Sequence, residues 1–215
     1  CAGVIGASHN SNGVAGVMNN VRIMGLKFLS DRGRGDTKDA IRAIDYAIQQ
    51  GADVLSNSWG GGEFSQALKD VIQKANEKGI VFVAAAGNSR ADNDTTASYP
   101  ANYELDNVIS VGAMGGKGTK ASFSNHGDES VHVFAPGVGI LSSVPGNSYK
   151  EMSGTSMAAP FVSGGAGLLL ASGPNLTPKE VRDRVMDSAV RNGSLGDYTL
   201  SGRMDIHRML ENLVE

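Results

Sequence analysis

The chain has 215 residues, a length that suits one domain with a sizeable core, and we predict a single domain over residues 1–215. Its formal net charge is −3 and neither sign forms a long run, which excludes the charge pattern of proteins that bind nucleic acid or an anionic membrane surface. The single cysteine excludes an internal disulfide framework, and no uninterrupted apolar run reaches membrane-spanning length, so we expect neither nucleic acid nor a membrane as a partner.

The first residues of the chain, 1–7, are apolar or small, and they begin without a capping residue or a leader. Such a start is typical of the inside of a buried element, so we expect the sequence to begin within a longer chain. A polar, turn-rich loop follows over residues 8–14.

Strand and helix patterns alternate from residue 21 to residue 86. We predict strands over residues 21–29, 53–58 and 80–86, and helices over residues 36–50 and 65–78. The strands are apolar on both faces, which predicts a parallel sheet covered by helices on its two sides. Because sites in such sheets lie at the carboxyl ends of the strands, we expect one near Ser58, Gly87 and Asn88.

Short strands and turns are predicted from residue 108 to residue 144. Thr177 and Glu180 form a capping box with Pro178 at the first helical position, which predicts a helix to about residue 190. A last helix is expected to end near Val214.

The most informative stretch is residues 153–173, Ser-Gly-Thr-Ser-Met-Ala-Ala-Pro-Phe-Val-Ser-Gly-Gly-Ala-Gly-Leu-Leu-Leu-Ala-Ser-Gly. A polar turn leads into small and apolar residues, which predicts a buried helix with Ser156 in its first turn. Unpaired N–H groups and the positive end of the helix dipole stabilise an oxyanion at such a position. An ordinary hydroxyl at a helix start is the alternative for an isolated Ser-Gly-Thr-Ser.

Residues 154–160, Gly-Thr-Ser-Met-Ala-Ala-Pro, resemble the nucleophile segment of the subtilisin-like serine proteases. The other segments follow in that family's order along essentially the whole chain. The resemblance implies an α/β fold of three layers, with a mostly parallel sheet between helices, that lacks the family's N-terminal portion. It also implies that the chain forms one peptidase domain of a serine endopeptidase, with Ser156 as the nucleophile.

The resemblance implies roles for the predicted strand ends as well. Asn88 would donate its side-chain amide to the oxyanion, beside the N–H of Ser156, whereas an isolated Gly-Asn pair would be a plain turn. Small, uncharged walls favour a neutral substrate side chain. Trp59 could instead belong to the core. The residues implied in substrate binding are Ser58, Trp59, Gly60, Ala85, Ala86, Gly87 and Ser98.

Two catalytic motifs of the family are not in this chain. A His-Gly-Thr-His motif precedes a segment like residues 1–6 in the family, and an Asp-Thr-Gly or Asp-Ser-Gly motif lies further upstream. We therefore expect a complementary N-terminal segment carrying the histidine and aspartate as a partner, in addition to a polypeptide substrate. We assign the role of base to none of the histidines present, His9, His126, His132 and His207, since none has the Gly-Thr-His context.

Residues 8–14 align without a gap to the family's calcium loop. The resemblance implies a structural Ca²⁺ bound by the side chain of Asn10 and by the carbonyls of Ser8, Asn12 and Val14, and oxygen ligands on a flexible loop suit that ion. A plain Asn/Ser-rich turn is the alternative. Family habit also implies secretion.

Two competing interpretations remain. Cys1 could be an N-terminal nucleophile, but a free cysteine beside the catalytic histidine, as in the proteinase K branch of the family, fits the pattern better. It could also be a small buried hydrophobe.

The chain itself could be a catalytically inactive binding or scaffold module of the same fold, because a serine without a general base is a poor nucleophile.

Overall fold

The computed structural model describes residues 1–173, 175–191 and 193–211. Four strands form a parallel sheet in sequence order, and an antiparallel hairpin of two strands follows. Because neighbouring strands are parallel, their carboxyl ends all lie at the same end of the sheet. The sheet consists of β1 Val54–Asn57, β2 Val81–Ala85, β3 Val108–Met114 and β4 Val133–Pro136, and the hairpin of β5 Ile140–Val144 and β6 Ser148–Met152.

Helices flank the sheet, and their starts agree with the capping signals in the sequence. The carboxylate of Asp36 accepts from the N–H of Lys38 at 2.7 Å, and the complete capping box of Thr177 and Glu180 is present. The helices in the described ranges are α1 Ala2–Gly6, α2 Thr37–Gln49, α3 Gln66–Glu77, α4 Thr155–Ser172, α5 Pro178–Asp187 and α6 Ile206–Leu210.

The sheet is covered on both faces, as its apolar pattern predicts. Along β2, Val81 and Val83 pack in the cluster that includes α4 and α5, whereas Phe82 and Ala84 pack in the cluster that includes α2 and α3. All five residues of this strand are buried. Alternation of side chains across a strand therefore connects the two helical layers through one sheet.

Helix α4 lies at the centre of this arrangement. It contacts all four strands of the sheet, and small residues such as Ala158 and Ala166 are fully buried along it. By length and composition alone, α4 is the one helix among the described residues that could cross a membrane. Its packing against the sheet is that of a core helix.

Residues 21–29 do not form the strand that their apolar pattern predicts. A strand requires a neighbour with which its backbone can pair, and no strand in the described ranges pairs with this segment. Ile23 and Met24 are 48% and 44% exposed. The prediction was wrong because the apolar pattern alone does not supply a pairing partner.

The C-terminal predictions differ from the structure in smaller ways. Helix α5 ends at Asp187 rather than near residue 190. Strand β6 was not predicted, because all five of its residues are exposed and it has no buried face to reveal it. Val214, the expected end of the last helix, lies outside the described residues.

The close approach of α4 to the N-terminal segment depends on a glycine. A Cβ at Gly164 would lie 2.6 Å from the Cβ of Val17, whereas a Cβ at Gly167 would meet only the sulfur of Met18, at 3.0 Å. We expect Gly164→Ala to lower the free energy of unfolding by about 1–3 kcal/mol through overpacking. Alanine is favoured over glycine in a helix, so Gly167→Ala is the matched control and should be neutral or stabilising. Urea denaturation measures both, and equal stability of the two variants would contradict this packing.

Candidate active site

Ser156 lies in the first turn of α4, where the ends of three strands meet. The N–H of Gly154 donates to the carbonyl of Gly137, just after β4, at 2.8 Å. Ser58 follows β1, Asn88 follows β2, and both contact the start of this helix. The positive end of the α4 dipole therefore lies beside the hydroxyl of Ser156.

Asn88 is held by the residue that precedes Ser156. Its Oδ1 accepts from the backbone N–H of Thr155 at 2.9 Å and from the Thr155 hydroxyl at 3.0 Å. Because the backbone N–H can only donate, the amide atom facing it must be the oxygen, and Nδ2 is left as a donor. In the described part of the chain, neither this Nδ2 nor the N–H of Ser156 has a hydrogen-bond acceptor. These two donors can bind an anionic oxygen.

The hydroxyl of Ser156 faces the end of β1. Its Oγ donates to the carbonyl of Ser58 at 3.1 Å, and the hydroxyl of Ser58 donates to the carbonyl of Ser156 at 2.9 Å. The thiol of Cys1 lies 3.3 Å from the same Ser156 carbonyl. Cys1 is exposed in this structure.

The segments predicted to bind substrate lie around these strand ends. The N–H of Gly61 donates to the carbonyl of Tyr99 at 3.1 Å, which joins the segment after Gly60 to the segment of Ser98. Ala85, the last residue of β2, and Ala86, which follows it, are buried and precede Gly87, which has a φ of 116°. The residues that line this region are small or uncharged.

Trp59 has a different environment from its neighbours. Its indole N–H donates to Oδ1 of Asn57 at 3.1 Å, and its ring meets that of Phe28 edge to face, with centroids 5.1 Å apart. The ring lies at the margin of the cluster that includes α2 and α3. Its side chain therefore packs as a core residue would, while its backbone continues the segment after Ser58.

No histidine contacts the hydroxyl of Ser156 in the described ranges. The structure thus brings together Ser156, Asn88 and Ser58, but it brings no general base to them. The histidine side chains contact other groups: His9 the carbonyl of Gly16, His126 the ring of Tyr198 edge to face, His132 the N–H of Ser110, and His207 the carboxylate of Glu211.

The predicted calcium loop has the geometry of a side-chain turn. Oδ1 of Asn10 accepts from the N–H of Asn12 at 2.8 Å, and an amide oxygen keeps a second lone pair that can face an ion. Asn10 and the carbonyls of Ser8, Asn12 and Val14 supply fewer oxygens than the about six to eight that Ca²⁺ takes. Among the described residues, no group of three His, Cys, Asp or Glu side chains could hold a metal. The loop therefore fits only part of a calcium site.

Comparisons with known proteins agree with this fold. The profile of the Subtilase family matches residues 1–203. Subtilisin DY of Bacillus licheniformis is 42% identical over 203 residues, which cover 94% of this chain and 72% of that protein. Subtilisin E of Bacillus subtilis (strain 168) is 43% identical over 194 residues, which cover 90% of this chain and 50% of that protein.

The chain belongs to the subtilase family. A solved structure, that of the prenylagaramide maturation protease PagA, matches it with a TM-score of 0.76 at 30% identity, covering 86% of this chain and 70% of that one. The predicted resemblance and the α/β fold class are thus confirmed, and the similarity to subtilisins supports a serine peptidase. The roles of single residues stay predictions.

Sequence reasoning missed the polar residues that hold this subtilase site together. Thr155 had a signal, since it lies between Gly154 and Ser156 in the nucleophile turn, but no role was assigned to its side chain. The side chains of Asn93 and Asn125 both donate to the carbonyl of Ala86, at 3.0 and 3.1 Å. Nothing in the local sequence around either asparagine indicates that contact.

His132 gives the subtilase chain a testable pH dependence. Burial, and secondarily the charge of Arg182, lower the pKa of this imidazole from 6.5 to about 4. Because the unfolded chain binds this proton more tightly, the stability contributed by neutral His132 is fully present above pH 6.5 and is lost as the pH falls towards 4. We expect a loss of about 3 kcal/mol in the free energy of unfolding across that range from this group.

The control is His132→Asn, whose side-chain oxygen can accept from the N–H of Ser110 as Nδ1 of His132 does, at 2.9 Å. Urea denaturation at several pH values should show a shallower acid dependence for this variant. Identical dependence in both proteins would contradict the lowered pKa of His132.

Proposed function

We propose that this subtilase chain is the nucleophile-bearing part of a serine endopeptidase that cleaves polypeptides through an acyl-enzyme on Ser156. The observation that carries the proposal is a pair of donors at the start of α4, the N–H of Ser156 and Nδ2 of Asn88, that have no acceptor among the described residues. Preorganised donors of this kind stabilise the oxyanion of a tetrahedral intermediate. The helix dipole adds to their field.

In the proposed reaction, Oγ of Ser156 attacks the scissile carbonyl carbon, and its proton passes to a general base. The carbonyl oxygen becomes the oxyanion between the two donors. Collapse of the intermediate expels the amine, which takes a proton from the protonated base, and water then hydrolyses the acyl-enzyme by the same route. In the structure Oγ of Ser156 lies 3.1 Å from the carbonyl oxygen of Ser58, and in the proposed reaction it would donate to the base instead.

We propose that an upstream segment of the same protein supplies the histidine base and its aspartate. The support is the sheet itself, because β1 pairs with β2 on one side only and is an open edge in the described chain. Residues 21–29 form no strand in the described chain, and their exposed Ile23 and Met24 offer an apolar surface. An added strand would satisfy unpaired backbone groups of this kind.

For the substrate, we propose a polypeptide with a neutral side chain before the scissile bond. The support is the chemistry of the residues predicted to line the cleft, since Ala85, Ala86 and Gly87 are small and Ser58 and Ser98 carry no charge. A charged side chain would find no counter-charge among them.

Calcium binding and secretion are also part of the proposal. Asn10 retains a lone pair, and the carbonyls of the loop would supply further oxygens, with the remaining ligands coming from outside the described residues. When bound, such an ion would stabilise the loop. Secretion is supported by membership of the family alone.

A second candidate function is peptide binding without turnover, by a catalytically inactive module of the same fold. It is favoured by one observation, the absence of any histidine at the hydroxyl of Ser156 among the described residues. In that case the cleft and Asn88 would be retained, but Ser156 would not be activated.

Fluorophosphonate labelling followed by denaturing intact-mass spectrometry separates these candidates. We expect an adduct on Ser156 when the upstream segment is present, and none in Ser156→Ala. An adduct on this chain alone would show that the base lies within it, against our assignment. A sample that contains the upstream segment, binds peptide and takes no adduct would establish the inactive module instead.

Removal of the Asn88 donor tests the oxyanion site directly. We expect Asn88→Ala to lower kcat by about 10²–10³-fold, the loss found when a subtilisin loses one such donor, with KM little changed. Asn88→Asp is a second variant: it keeps an oxygen for Thr155, loses the Nδ2 donor and adds a negative charge beside the oxyanion, so we expect a loss of kcat at least as large. Steady-state kinetics that leave Asn88→Asp fully active would rule out this role for Nδ2.

A further inference from the structure

Asn125 is a buried asparagine that no part of the proposed reaction uses. Its side chain is 3% exposed, and it lies in the turn between β3 and β4. Its Oδ1 accepts from the N–H of Ser89 at 2.8 Å and from that of Ala91 at 3.2 Å. Its Nδ2 donates to the carbonyl of Ala86 at 3.1 Å and to Oδ1 of Asn93 at 2.9 Å. The amide therefore uses two acceptor and two donor positions, which is its full capacity.

The partners of the Asn125 side chain all lie in the loop over residues 86–93, after β2. The backbone of Asn125 adds a fifth hydrogen bond to this loop. Its N–H donates to the carbonyl of Gly87 at 2.9 Å, and a Cβ at Gly87 would overlap the Asn125 amide. The loop is thus wrapped around this side chain. Residues bonded by Asn125 lie on both sides of Asn88, while Asn88 itself is exposed and is left free to bond with Thr155.

We infer that Asn125 is the positioning residue of the oxyanion site. It makes no hydrogen bond to Asn88 among the described residues, but it bonds to the main chain before and after Asn88, and so sets where Nδ2 of Asn88 lies relative to Ser156. This inference rests on the function proposed above. We expect Asn125 to affect the free energy of the transition state rather than substrate binding, because a donor aimed at the oxyanion contributes little to the binding of the uncharged ground state.

Only an asparagine satisfies every group around this position. An aspartate would keep the acceptor for Ser89 but turn an oxygen towards the carbonyl of Ala86, and it would bury a charge. A leucine would leave the two N–H groups and the carbonyl unpaired in the interior.

The neighbouring Asn93 extends the same network. It is 1% exposed, and its Nδ2 donates to the carbonyl of Ala86 at 3.0 Å while its Oδ1 accepts from Asn125. The carbonyl of Ala86, the last group before the glycine of the loop, therefore receives two amide donors. Two hydrogen bonds to this one carbonyl hold the chain just after β2 in one position.

The test compares Asn125→Ala with Asn107→Ala in the complete protein, which contains the upstream segment. Asn107 is a buried asparagine whose Nδ2 donates to the carbonyls of Ile72 and Ile80. It precedes β3 and therefore lies at the amino ends of the strands, away from Ser156. Both variants should lose thermal stability. We expect only Asn125→Ala to lower kcat, by about 10- to 100-fold as for a misplaced catalytic group, with KM within about twofold.

A double-mutant cycle identifies the route of the effect. If Asn125 acts through Asn88, then Asn125→Ala should cause no further loss of kcat in an Asn88→Ala background. Full additivity of the two losses would overturn the inference. So would a wild-type kcat in Asn125→Ala, or an equal fall in kcat for Asn107→Ala. If Asn125→Ala does not fold, Asn125→Ser, which keeps a group that both donates and accepts, carries the same comparison.

Hydrogen exchange tests the inference independently of catalysis. Loss of amide protection at Ser89 and Ala91 is expected in Asn125→Ala and not in Asn107→Ala. Unchanged protection would overturn the inference even if the protein proved inactive. An inactive wild-type protein with the expected loss of protection would instead refute the proposed function and leave Asn125 as the residue that fixes this loop.

Discussion

The start of α4 is buried against the ends of the strands, so each of its unpaired N–H groups must find an acceptor in the protein or remain available to a ligand. Thr155 is fully buried, and its N–H finds the side-chain oxygen of Asn88 at 2.9 Å. The next N–H, that of Ser156, is left without an acceptor in the described chain. This one hydrogen bond satisfies the N–H of Thr155 and orients the amide of Asn88. It thereby leaves Nδ2 of Asn88 and the N–H of Ser156 as two neighbouring donors.

The packing around this hydrogen bond depends on small residues that let α4 approach the strands and the N-terminal segment closely. Glycines and alanines along α4 allow it to cross all four strands, and Gly164 allows contact with Val17. The strand ends then reach the helix start directly, with Ser58 from one side and Asn88 from the other. A bulkier helix would hold these loops further from Ser156, so the packing of the core and the geometry of the site follow from the same residues.

Prediction from the sequence succeeded where a pattern is contained in one segment. The buried helix behind Ser156, the caps at Asp36 and Thr177 and the two-sided apolar strands all have local causes, and the structure contains each of them. Residues 21–29 failed because a strand is defined by its neighbour as well as by its own side chains. Asn125 could not be recognised because its bond to the carbonyl of Ala86 spans 39 residues of sequence.

The open edge of β1 has a consequence for how the molecule can be handled. Among the described residues no strand pairs with the outer side of β1, and an unpaired sheet edge is a template for any extended chain. If an upstream segment covers this edge, as proposed above, its removal would leave the backbone groups of β1 open to pairing with another copy of the chain. On that proposal, the segment that supplies the catalytic base would also protect the sheet from edge-to-edge pairing.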